Sequence, residues 1–164
     1  MQTFNKPIAT FLFLLLSPMG HALTAQEKSR PCPEPTEATD SKFRPGQVWQ
    51  YNNRAHEKGS TLTILKIESL PKIGVTIHIR VDKVRLRNCT GGPEPDNFQH
   101  MPFAREAVER SVTKLAREGD VPSFQEGYNQ WRKDCGGVYT ITVADAVRIA
   151  EETFRRGLGC PSLD

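Results

Sequence analysis

The segment Ile73 to Val81, IGVTIHIRV, constrains the fold more than any other stretch of the chain. Ile73, Val75, Ile77, Ile79 and Val81 fall on alternate positions, the period of a strand with one buried face. Gly46 to Asn52 alternates in the same way, with Trp49 and Tyr51 on one side, and Leu62 to Ile67 is β-branched and apolar. Polar connections at Asn53 to Ser60 and Glu68 to Lys72 separate the three runs, which predicts an antiparallel meander. On this reading His78 points away from the apolar side, to the exposed surface of the sheet. Val84 and Leu86 shift the apolar phase by one residue. A bulge near Asp82-Lys83 restores both to the buried face and makes a fourth strand.

The remainder reads as mostly helical. Asn88 to Asn97 (NCTGGPEPDN) is a loop. Pro102 fits a first helical turn, and Phe103 to Glu118 places Val108, Val112 and Leu115 on one stripe before Gly119. Ser123-Phe124-Gln125-Glu126 has the form of a capping box, and Phe124, Tyr128 and Trp131 then recur at helical spacing. Val138 to Thr142 returns to strand character. Thr142 caps a last helix whose buried stripe is Val143, Ala146, Val147, Ala150 and Phe154. The expected class is α+β: a three- to four-stranded antiparallel meander followed by two helices, a further strand and a C-terminal helix.

The amino terminus predicts export. Within residues 1–25 the only charged side chain is Lys6, Ile8 to Leu16 is apolar, and Pro18 and Gly20 precede small residues at Ala22 and Ala25, where cleavage is expected. The apolar run is shorter than the roughly 20 residues a bilayer core requires, so no membrane span is expected after cleavage. Residues 26–42 form a polar, proline-bearing arm, and 43–160 a single α+β domain. The expected location is the periplasm or the exterior.

Cys32, Cys89, Cys135 and Cys160 are an even set in an exported chain, the usual basis of disulfides. No C-x-x-C occurs and the histidines are not at ligand spacing, so neither a metal nor a cofactor is expected. If the last helix packs back along the strand before it, Cys160 meets Cys135 and leaves Cys32 for Cys89. The rival pairs Cys32 with Cys160 and Cys89 with Cys135.

Removing residues 1–25 leaves 21 basic against 19 acidic side chains, too balanced for a general nucleic-acid binder, and no nucleic acid is expected as partner. Arg80, Lys83, Arg85 and Arg87 form a basic stripe suited to an anionic ligand or an envelope protein, or to an ordinary solvated face. Trp49 and Trp131, with Tyr51 and Tyr128, make either core or an aromatic cleft. His100, expected just before a helix start, is the one weak catalytic candidate. Ser111-Val112-Thr113-Lys114 matches S-x-x-K, but mid-helix and without its companion motifs. Glu106/Glu109 and Glu151-Glu152 are expected on solvated helix faces. The leading expectation is a non-catalytic binding or structural domain. The alternative is a small periplasmic hydrolase using His100 with a nearby carboxylate.

The segments Phe43 to Tyr51 (FRPGQVWQY), His100 to Phe103 (HMPF) and Gly127 to Arg132 (GYNQWR) resemble those of a set of small, uncharacterised bacterial proteins. The resemblance spans about Phe43 to Ala150. It implies a domain outline and a bacterial origin, and carries no activity.

Overall fold

The computed structural model describes residues 32–163. The expected signal segment and its cleavage site lie outside these residues, as does most of the amino-terminal half of the arm.

The chain forms one antiparallel sheet and three helices, an α+β arrangement. Strands β2 (Gln47–Tyr51), β3 (Thr61–Leu70) and β4 (Gly74–Asp82) form the meander that the sequence predicts, except that Glu68 to Leu70, expected as connection, extend β3 and Ile73, expected on the buried face, is exposed before β4. A fourth long strand, β5 (Asn97–Ala104), pairs with β4, and β6 (Val112–Glu118) pairs with the free side of β2, giving the order β5-β4-β3-β2-β6. The arm contributes β1 (Thr36–Glu37), which pairs with the far end of β3.

Three expectations fail here for related reasons. The expected helix from Phe103 to Glu118 is only the seven-residue α1 (Arg105–Ser111), flanked by β5 and β6. Backbone pairing with β4 and β2 outweighs the local helical pattern, since a free sheet edge offers each strand a row of partners. Pro102 and His100 therefore lie in β5, and Leu115 is exposed rather than on a buried stripe. The strand expected at Val138 to Thr142 shrinks to a single parallel bridge between Tyr139 and Phe103. The fourth strand expected after the phase shift is absent: β4 stops at Asp82, and Lys83 takes a left-handed conformation (φ 56°) that turns Val84 and Leu86 into the core.

Helix α3 (Val143–Gly157) matches the sequence reading, with the Thr142 hydroxyl accepting from the Asp145 amide. Val143, Ala146 and Val147 are fully buried against Ile64, Ile77, Ile79, Phe103 and Val108. Phe43, Trp49 and Tyr51 complete this core, so the alternation assigns the face of Trp49 and Tyr51 correctly. Helix α2 (Gln125–Lys133) starts at Phe124 without the side-chain bond expected of the capping box.

Two irregularities interrupt the ladders of the sheet. Leu65 is left out of the β3–β4 pairing, so Ile64 faces Ile79 but Lys66 faces His78. That bulge keeps Ile67 in the core and turns Lys66 and Glu68 to the opposite side of the sheet. In β6, Thr113 and Ala116 are both left out of the pairing with β2.

Both disulfides differ from the pairings expected from the sequence. Cys32 joins Cys135 and Cys89 joins Cys160. The preferred pairing assumed a strand at Val138 to Thr142 along which α3 returns. With only one bridge there, α3 runs instead toward the 83–97 segment, and its end reaches Cys89. Cys135, at the end of α2, meets the arm.

Candidate functional site

The sheet is covered on both sides, and the second side holds a polar cluster. His78 alternates with Ile77 and Ile79 and so faces away from the main core, as expected. It is nevertheless fully buried, contrary to the expected exposure, because α2 lies over it. Trp131 and Tyr128 meet its ring edge-on at 4.8 and 5.3 Å, and the ring of His100 stacks on it at 5.0 Å between centroids. Phe124 stacks in turn on His100. Gly127 makes this approach possible: a Cβ there would stand 2.8 Å from Cβ of His100. Trp131 and Trp49 thus lie on opposite sides of the sheet and share no cleft.

Within this aromatic cover, hydrogen bonds run in a chain. Nε2 of His78 lies 3.0 Å from Oε1 of Glu68, and Nδ1 of His78 lies 2.8 Å from Nε2 of His100. Lys66 donates to the hydroxyl of Tyr128 at 3.0 Å and pairs with Oε2 of Glu68 at 2.8 Å. Tyr128 donates to Glu68. Burial pushes both imidazoles down to about 4, so both are neutral at pH 7. Burial would raise the Glu68 carboxyl, but Lys66 and Tyr128 hold it below its usual range. With neutral rings the tautomers follow: His78 donates from Nε2 to the carboxylate and accepts at Nδ1 from Nε2–H of His100. Nδ1 of His100 is then the basic end of a Glu68–His78–His100 relay. His100 is half-buried at the β5 edge.

A second cluster joins α3 to the meander. Glu151, fully buried rather than on a solvated face, pairs with Arg54 and, at 2.8 Å, with Nε of Arg87. Arg54 also binds the buried Glu57, which accepts from the Arg85 amide at 2.7 Å. These cations hold the Glu151 carboxyl at about 2 against the effect of burial. Glu109 is exposed and paired with Arg105 and Lys42, and Glu106 is exposed. Ser111 has no nucleophilic freedom: its buried hydroxyl donates to the Ala107 carbonyl and accepts from the Val143 amide.

The basic stripe divides. Arg80 pairs with Asp82 on the sheet, Arg85 with Glu94, and Lys83 is exposed. Arg87 instead adjoins the end of α3, where Nη1 of Arg155 reaches its carbonyl at 3.4 Å. Arg155 and Arg156, which no sequence signal singled out, line a cavity of about 200 Å³ with Glu152, Cys160, Pro161 and Ser162. Nε of Arg155 is buried without a hydrogen-bond partner among the described residues. The Cys89–Cys160 bond, invisible to spacing, and the Glu151–Arg87 pair bring these arginines to Arg87.

Among the described residues no group of three or more His, Cys, Asp or Glu is arranged to hold a metal, and no helix is long and apolar enough to cross a membrane. Comparison with protein-family models, curated proteins and solved structures gives no match.

Proposed function

We propose that this chain is an exported, disulfide-stapled domain of the bacterial periplasm that acts by binding an anionic ligand or an anionic patch of an envelope protein. The observation that carries the binding reading is the pair Arg155 and Arg156, two guanidinium groups lining one cavity whose single carboxylate, Glu152, is already met by Arg148. A carboxylate or phosphate oxygen is the strongest acceptor for guanidinium, and two such groups in one cavity favour an oxyanion. Two disulfides support an oxidising compartment, where such bonds persist. The test is calorimetric titration of the oxidised protein with inorganic phosphate and with citrate, alongside Arg155→Gln. Saturable binding that the variant loses supports the reading; equal heats from both proteins oppose it. Export is tested separately by the intact mass of the secreted protein, with Leu23 or Gln26 expected as the first residue.

One observation favours a second reading, hydrolysis. His100 with Glu68, connected through His78, has the base–orienter geometry of a general-base relay. A purified protein that hydrolyses ester or amide substrates, and a folded His100→Ala variant that does not, would support this reading over binding.

A further inference from the structure

The paired imidazoles beneath α2 are built so that protons break the contact they make. We propose that Glu68, His78 and His100 form an acid-operated latch that holds α2 on the sheet at neutral pH and releases its amino-terminal end in acid. The latch depends on neither functional reading.

The bond between the rings requires at least one of them to keep an unprotonated nitrogen. A neutral His78 accepts at Nδ1 and a neutral His100 donates at Nε2, 2.8 Å apart. Once both rings are imidazolium, both nitrogens carry hydrogen and no acceptor remains between them. Two like charges then stack with centroids 5.0 Å apart under aromatic cover. The surrounding groups cannot offset them. From β3, Glu68 supplies one negative charge that Lys66 already meets. From α2, Tyr128 is a neutral donor, Glu126 is exposed, and Arg132 turns away to Glu34 and the Pro33 carbonyl. On β4 the neighbouring Arg80 is paired with Asp82. At neutral pH the cluster balances Lys66 against Glu68; with both rings protonated it carries two uncompensated positive charges.

The rest of α2 decides where the strain is relieved. Its carboxyl end is fastened: Cys135 is bonded to Cys32, Arg132 holds Pro33 and Glu34, and the Gly136 amide donates to the Trp131 carbonyl. Its amino end follows residues 119–124, which form no regular element, and lacks a side-chain cap. The rings of Phe124 and Tyr128 and the Gly127 contact all bear on the histidines at this free end. Release therefore swings α2 about its disulfide-bound end and uncovers Phe124, Tyr128 and the sheet beneath.

Amide hydrogen exchange of the oxidised protein between pH 7 and pH 3.5, corrected for intrinsic rates, tests this. Exchange in α2 is expected to accelerate at least about tenfold relative to α3 as pH falls through 5 to 4, as coupling to ring protonation requires. His100→Gln, which leaves a single titrating ring, should keep α2 protected at pH 4. Glu68→Gln, which removes the one counter-charge while preserving shape, should move release to higher pH. Simultaneous loss of protection in α2 and α3, protection of α2 down to pH 3.5, or release of Glu68→Gln at the wild-type pH would each overturn the proposal.

Discussion

Glu68 and His78 sit on neighbouring strands and bond at 3.0 Å only because Leu65 is squeezed out of the ladder between them. Regular pairing of β3 through that point would turn Glu68 into the apolar core and place Ile67 under α2. One extra residue therefore sorts polar from apolar along the whole strand.

The buried histidines give stability a defined pH dependence. Their folded values of about 4 lie below the ordinary 6.5, so the unfolded chain binds more protons between those limits. Stability is complete above about pH 6.5 and declines as pH falls toward 4. Urea midpoints measured from pH 7.5 to 4 should fall across that window, and a flat series would contradict it.

Glu151 acts in a lower window. Its folded value of about 2 lies below the ordinary 4.5, so its contribution is present above pH 4.5 and lost as pH falls toward 2. Glu151→Ala leaves Arg54 partly buried with one carboxylate fewer and is expected to cost about 3 kcal/mol at pH 7. Chemical denaturation of the variant checks the figure.

Gly127→Ala should destabilise by about 1–3 kcal/mol although alanine is the better helix former, because the new methyl meets the Cβ of His100. Gly157→Ala, in open space at the end of α3, should be neutral or stabilising. Thermal melts of the pair distinguish close packing from propensity.

Non-reducing peptide mapping should return Cys32–Cys135 and Cys89–Cys160. The bonds close loops of 103 and 71 residues, and loop-closure entropy assigns each about 4–5 kcal/mol. Reduction should lower the denaturation midpoint, and a Cys135–Cys160 peptide would refute the pairing.

What the sequence disclosed was local. Alternation located β2 and β4 and the face of Trp49 and Tyr51, a β-branched apolar run located β3, and Thr142 with its apolar stripe located α3, because each signal lies within the element it defines. What escaped depends on distant chain. His78 looks like a surface residue until α2, far along the chain, covers it. The stretch Val112 to Glu118 is helical in pattern and becomes a strand because β2 has a free edge. His100 lies in β5, five residues before the helix start the sequence places beside it, yet it bonds to the one residue that connects it to a carboxylate.

The two residues omitted from the β6 ladder carry a consequence for life at high protein concentration. An outer strand with evenly spaced N–H and C=O groups invites another molecule to extend the sheet. Thr113 and Ala116 interrupt that spacing twice within seven residues, while Lys114, Arg117 and Glu118 add charge along the rim. A crowded neighbour finds no continuous template, so the open side of the sheet is guarded against polymerisation by its own irregularity.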